Sequence, residues 1–395
     1  MTLRQKSAFA ALVVMVGLIA ATLAASAPAA QADPITIGWA FDSKGAMAPF
    51  DGPALAAAQI RVKQVNARKG LGGRALKIVT CDTQGNKPAI AKSCAAKLLG
   101  QGADVIFTTC DVDFAAPVVQ ESINRGVLAI APCIGTDQMG PKRFGAKGKL
   151  AFSFGNVAQD EGSAMAEVAW RQGYKTAALA TDTVIVYFKD VVKAFKARFT
   201  QLGGEIVAEE SYQSLGGNNV QNVVSRLNGK QADVIVTSTA GAFGALSTLI
   251  SGLRTLDNDT PVLNSWAGDG TYWVPKDPKV SNYYFVTYAS SFGDDPNKAV
   301  NTLAKQVKAG TGGFITGSAA IDGLVTAINR SGGSTNGARL ATTLEGFKKV
   351  PTLSGLVSFS PQLHGVFGRQ YRVIRITNNT PKVTGTVVAK VVPKI

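Results

Sequence analysis

The chain has 395 residues, 46% of them hydrophobic and 17% charged. That balance excludes a disordered or fibrous polymer and leaves room for about two globular domains with sizeable apolar cores. The formal net charge is +15, from 41 Lys plus Arg against 26 Asp plus Glu, which taken alone suits an anionic partner.

The amino terminus changes how that charge reads. Arg4 and Lys6 precede an uncharged apolar run over 8–25, and Ala30-Gln31-Ala32 then offers small residues at both cleavage-determining positions. This is the layout of a secretory signal peptide over 1–32, with the mature chain starting near Asp33. A membrane anchor is the alternative, since the run is nearly long enough to span; the small-residue exit favours cleavage. No cysteine stands at the cleavage point, so no lipid anchor is expected. Removing 32 residues and two cations leaves 363 residues and a charge of +13. Lys and Arg are scattered, with one loose group at Lys142, Arg143, Lys147 and Lys149. A solvated basic surface is therefore expected, with no nucleic-acid partner. No later segment approaches ~20 consecutive apolar residues.

From the new amino terminus, short apolar runs alternate with amphipathic segments, twice over. Strands are expected at 35–41, 76–80, 105–108 and 127–131, separated by helices at 53–66, 88–99 and 116–124. A Gly- and Lys-rich stretch, 135–149, interrupts the series, and 150–154 resumes as extended chain. The alternation then restarts with strands at 176–180, 206–211, 234–237, 262–263 and 284–287. Helices at 159–172, 191–202, 220–227 and 243–253 lie between them. Near-uniform apolar strands with intervening helices imply parallel sheets covered on both faces. The remainder, with helices at 297–309, 317–330 and 338–348 and strands at 356–359, 371–376 and 387–392, does not read as a third domain. It is expected to return to both halves. The fold class is α/β: two Rossmann-like, doubly wound lobes joined by a multi-strand hinge. Lobe 1 takes 33–153 plus about 289–356, and lobe 2 takes 154–288 plus about 357–395.

Cys81, Cys94, Cys110 and Cys133 form an even set in an exported chain, which suggests two disulfides. Three pairings remain open. Cys81–Cys94 with Cys110–Cys133 is favoured because the second pair would join the ends of neighbouring strands. No CxxC occurs and His364 is the only histidine, so neither a metal cluster nor a cofactor is expected. The same count weakens an enzyme reading. There is no Gly-x-Ser-x-Gly elbow and no Walker A segment. The glycines of 70–75 follow a helix and precede a strand, the reverse of a phosphate-binding turn. His364 reads as structural.

Ligands of open parallel sheets bind outside the carboxyl ends of the strands. The loops expected there carry aromatics, small residues and acids, the lining of a small-molecule pocket. Two stretches have a further likeness. ITIGWAFDSKGAMAPFDGPALAAAQIRVKQVNARKGLGGRALKIVTCDTQ and ADVIFTTCDVDFAAPVVQESINRGVLAIAPCIGTD resemble type I periplasmic solute-binding proteins of ABC importers, in the leucine/isoleucine/valine-binding branch. The resemblance extends as many weak motifs over the mature chain. It implies a periplasmic, monomeric, two-lobed receptor that closes on a solute and docks to an inner-membrane permease.

The resemblance also implies site residues. Phe50 and Tyr187 stand where the family places cleft aromatics; Trp266 is a further aromatic of the strand-end loops, read from the sequence itself. The loop holding Cys133, Gly135 and Thr136 matches one that meets a ligand carboxylate, and Asp269 is close to the residue that pairs with an ammonium. A departure lies at 110–114, where Asp111 and Asp113 replace hydroxyl residues and would repel a carboxylate unless paired. Asp111 or Asp113 equally suits an N-cap, Asp269 a turn, and Phe50, Tyr187 and Trp266 ordinary packing. An exported ligand sensor is the alternative function, with an exported α/β hydrolase behind it.

Overall fold

The computed structural model describes residues 33–69, 71–215 and 219–395; the expected signal peptide lies outside the described residues. Five parallel strands form the first sheet: β1 (Ile35–Phe41), β2 (Leu76–Asp82), β3 (Val105–Phe107), β4 (Leu128–Ala131) and β5 (Ala151–Ser153). Their order is β2-β1-β3-β4-β5. The second sheet contains β6 (Thr176–Asp182), β7 (Glu205–Tyr212), β8 (Val234–Ser238), β9 (Val262–Asn264) and β10 (Tyr283–Thr287). Its parallel core runs β7-β6-β8-β9-β10, the same winding as the first. In each sheet the chain reverses direction between its first and third strands, so both present a switch point at their carboxyl edges.

The chain after β10 serves both sheets. Helices Lys298–Val307 and Phe314–Arg330 pack on helix Ala48–Ala67 beside the first sheet. Gly317 lies directly on the Ala54 backbone, where a Cβ would collide. Pro53, inside helix Ala48–Ala67, has no N–H for the Pro49 carbonyl; the Thr311 hydroxyl donates to that carbonyl instead, at 2.9 Å. A small hairpin, β11 (Val350–Thr352) with β12 (Gly355–Val357), follows. The chain then returns to the second sheet as the antiparallel pair β13 (Tyr371–Thr377) and β14 (Thr380–Val387).

Here the sequence expectation is corrected. The last strand is 380–387 and not 387–392. Asn378 and Asn379, at φ 50° and 65°, make a two-residue hairpin turn that brings the polar segment onto β13 at once. The apolar run beyond it leaves Val388, Val391 and Val392 about two-fifths exposed.

Three crossings join the sheets, near 154–157, 288–297 and 360–370. The first and third pair with each other: Val157 N donates to Val366 O at 2.8 Å, Val366 N to Gly155 O at 3.0 Å, and Ser153 N to His364 O at 2.8 Å. Arg372 holds the second crossing by a two-pronged bond to the buried Asp295, at 2.8 and 2.9 Å. His364 stacks on Phe152 at 3.9 Å, with Nδ1 2.9 Å from Ala151 O, a structural position. The disulfides are Cys81–Cys94 and Cys110–Cys133. The second joins the carboxyl ends of β3 and β4. Buried aromatics such as Trp39, Phe107, Phe152 and Phe195 each contribute about 1.5–3 kcal/mol by leaving water.

Candidate functional site

The carboxyl ends of the two sheets meet at one crevice. From the first sheet come Met47 and Phe50 after β1, and Cys110 and Asp111 after β3. From the second come Ile185, Tyr187 and Phe188 after β6, Phe243 after β8, and Trp266 after β9. Phe50 meets Trp266 edge-on across the crevice, with ring centroids 5.0 Å apart. Tyr187 lies 6.4 Å from Trp266, and Phe188 lies 5.5 Å from Phe243. The lobes are drawn together, so the crevice holds only ≈ 20 Å³, about one water. A roomier groove of ≈ 670 Å³ runs beside Arg61, Leu303, Asp322 and Leu353, away from the strand ends. Its charges are paired with each other, Arg61 Nε lying 2.5 Å from Asp322.

Three of the helices start at the crevice. Helix Ala48–Ala67 carries Phe50 in its first turn, helix Val112–Asn124 begins at Asp111, and helix Val186–Gln201 carries Tyr187 as its second residue. Asp111 is that helix's N-cap, accepting from Asp113 N at 2.9 Å and Phe114 N at 3.3 Å. Asp113 points the other way. Its Oδ1 pairs with Arg143 at 2.7 Å, and its Oδ2 accepts from Val186 N at 2.9 Å. A carboxylate from the first sheet's helix thus meets the positive end of a 16-residue helix on the second.

Gly135 lies flat against the Tyr187 ring; an added Cβ would sit 2.7 Å from Tyr187 Cε2. Cys133 is the disulfide partner of Cys110, behind the wall. Thr136 is fully buried, and its hydroxyl accepts from Gln138 N at 3.3 Å within its own turn. Asp269 does not line the crevice. Its carboxyl accepts from Thr287 Oγ1 at 2.6 Å, Gly270 N at 2.6 Å and Gly312 N at 2.5 Å, tying the loop after β9 to the start of helix Phe314–Arg330.

Sequence reasoning missed two buried acids that shape the walls. Glu161 Oε2 accepts from the Tyr187 hydroxyl at 2.9 Å and Oε1 from Trp266 N at 2.5 Å, so one carboxyl aligns both aromatics. Asp51 joins the loops after β1 and β3, accepting from Asp42 N at 2.8 Å and Cys110 N at 2.9 Å. Burial pushes Glu161 up to about 8, partly offset by its two hydrogen bonds. It pushes Asp51, Asp111 and Asp269 up to about 7. The adjacent acids at 160 and 161, at the start of a helix that follows a crossing, are the signal that could have singled out Glu161. Asp51 has no comparable signal. Among the described residues, no group of three or more His, Cys, Asp or Glu side chains is arranged to hold a metal ion, and no helix is long and apolar enough to cross a membrane.

Comparisons with known proteins agree with this architecture. A Leu/Ile/Val-binding protein, BraC3 of Rhizobium johnstonii, is 25% identical over 354 residues, covering 86% of this chain and 92% of that one. LivJ of Streptococcus pneumoniae, a branched-chain amino acid transporter substrate-binding protein solved with isoleucine, superposes with a TM-score of 0.76 at 20% identity. The match covers 90% of this chain and 99% of that one. An ABC-transporter solute-binding protein of Rhodopseudomonas palustris, solved with 3,4-dihydroxybenzoic acid, gives a TM-score of 0.72 at 17% identity, over 90% and 95% of the two chains. These relatives are solute-binding proteins, not enzymes. The family model described as periplasmic binding protein matches residues 34–381, and with the paired sheets and their shared crevice this places the chain in the periplasmic binding protein family.

Proposed function

We propose that the protein is the periplasmic receptor of an ABC importer. It captures a small amphipathic solute, an amino acid or related compound, between its lobes and passes it unchanged to an inner-membrane permease. One observation carries the reading: Phe50 and Asp111 from one sheet, and Tyr187 and Trp266 from the other, face a single crevice at the carboxyl ends of two identically wound sheets. The signal-peptide layout of 1–32 supports export, and the relatives' solutes span branched-chain amino acids and an aromatic acid.

Lobe 1 takes 33–153 plus about 289–356 and lobe 2 takes 154–288 plus about 357–395, as the membership of β13 and β14 in the second sheet favours. The protein acts as a monomer, since each molecule supplies both walls. Phe50, Tyr187 and Trp266 cover the solute's apolar part. Because these side chains sit on opposite lobes, only the closed form makes all the contacts, and binding shifts the population toward closure.

A thermal-shift screen over branched-chain amino acids, aromatic acids, amides and polyamines, followed by calorimetry on the hits, tests this. One class should raise the melting temperature with 1:1 stoichiometry. Solute at a hundredfold excess over its Kd stabilises by about 2.7 kcal/mol. A flat response across the panel, or chemical conversion of a solute, would reject the reading.

A further inference from the structure

The polar groups around the crevice are unevenly engaged. The acids in its wall and behind it already have partners. Asp111 caps its helix, Glu161 takes the Tyr187 hydroxyl and Trp266 N, and Asp269 takes three donors. Burial also favours the neutral form of all three, which makes them poor partners for an ammonium group.

The donors differ. Trp266 Nε1 and Arg369 Nε and Nη1 have no protein partner. The Tyr288 hydroxyl, close to the Asn156 backbone, makes no hydrogen bond of acceptable geometry. Trp266, Tyr288 and Arg369 are 3%, 0% and 2% exposed, so bulk water does not reach these groups. They are also contiguous. The Trp266 and Tyr288 rings lie 4.9 Å apart, and the Arg369 guanidinium carbon is 5.2 Å from the Tyr288 ring centroid.

Arg369 makes one hydrogen bond, from Nη2 to Phe154 O at 2.8 Å. Among the described residues no carboxylate lies within ion-pair distance of it. Asp160, the nearby acid, accepts instead from Gly368 N, Asn156 and Tyr371. A buried guanidinium without counter-charge is costly. Among the described residues, the unpartnered acceptors on the crossing segments include Asn156 Oδ1 and the Ser291 hydroxyl, neutral groups with no charge to offer an ammonium.

We infer that the crevice recognises the carboxylate of an aromatic or branched-alkyl acid lacking an α-ammonium group, with Trp266 Nε1, the Tyr288 hydroxyl and the Arg369 guanidinium as its donors. The inference rests on the crevice being the solute site. The apolar body lies on the Phe50, Tyr187 and Trp266 rings, and the carboxylate reaches past Trp266 toward the crossings. Trp266 follows β9, while Tyr288 and Arg369 stand on the second and third crossings, so an anion held by all three also fixes the hinge.

Calorimetry on the full mature chain at pH 7 with matched probes tests it: 3-phenylpropanoate against L-phenylalanine and 3-phenylpropanamide, and 4-methylpentanoate against L-leucine. Each acid should bind at least tenfold tighter than its ammonium-bearing or amide counterpart. Arg369→Gln should weaken the acid at least tenfold and the amide by clearly less, because only the carboxylate loses a charge-assisted bond. If that variant does not fold, the probe comparison on the unaltered protein still decides. Tighter binding of leucine or phenylalanine overturns the inference, because the ammonium is then recognised; equal binding of acid and amide also overturns it. In either case solute capture stands. A cationic binder from the wider panel likewise overturns only the inference, whereas no binding by any probe or panel member overturns the capture reading itself.

Discussion

Two clusters flanking the crevice are built on opposite principles. In one, Asp113, Arg143 and Val186 N satisfy one another across the lobes. In the other, Tyr288 and Arg369 are buried in series behind the crevice wall at Trp266, with donors of all three unpartnered. The first needs nothing from outside to close, so it acts as a latch. The second is completed only by an acceptor the protein does not supply, so it reads the solute. A binding protein that must also release its cargo gains from this division: the latch sets how readily the lobes meet, and the donors set what keeps them together.

The largest expected effect comes from blocking the approach of the walls. Gly135→Ala places a methyl 2.7 Å from the Tyr187 ring, which the closed form must relieve and the open form need not. Overpacking of this kind costs about 1–3 kcal/mol, roughly a five- to 150-fold loss of solute affinity by calorimetry. The melting temperature without solute should stay within about 2 °C. Unchanged affinity would mean that closure does not bring these walls together.

Next in size is the pH dependence of stability. Folded Glu161 keeps its proton up to about 8, against a usual 4.5; Asp51, Asp111 and Asp269 keep theirs to about 7, against 3.8. Between those limits the unfolded chain binds fewer protons, so the stability these four groups contribute is fully present below about pH 4 and falls as pH rises toward 8. The slope is at most about 1.4 kcal/mol per pH unit per group. Thermal melts should drop from pH 5 to 8, and Glu161→Gln should flatten the upper part of that fall. A rise over the same range would contradict the burial described for these carboxyls.

The smallest effect separates latch from reader. Asp113→Ala removes a partly exposed ion pair and one interlobe hydrogen bond, about 1 kcal/mol, or roughly fivefold in affinity. It should appear as faster solute dissociation in stopped flow, equally for every solute that binds. A change in preference among solutes would place Asp113 with the reading groups.

How much of this was legible in the sequence follows from which neighbour each residue faces. Central strands such as β3 and β4 were legible because both their faces are covered and their runs are uniformly apolar. Helix starts were read late where the site lies. The expected 53, 116 and 191 became 48, 112 and 186. The missing first turns hold Phe50, Asp113 and Tyr187, which face the opposite lobe. An apolar period set by packing on the helix's own sheet does not register them. The final strand was missed because its residues are polar and turn chemistry at Asn378 and Asn379 places it, while a more apolar run beyond it stays largely exposed. Arg369 escaped for a different reason: a single charged residue in sequence carries no sign that it will be buried.

The central claim is that two lobes close on one solute, and a distance across the crevice mouth measures it most directly. Nitroxide labels at Gln120, on helix Val112–Asn124, and Lys193, on helix Val186–Gln201, occupy exposed positions on opposite sides of the Asp113–Val186 contact. With a solute identified by thermal shift at saturation, pulsed electron double resonance should show one narrow short distance. Without solute it should show a broader distribution that includes longer distances. Identical distributions with and without saturating solute would contradict the account.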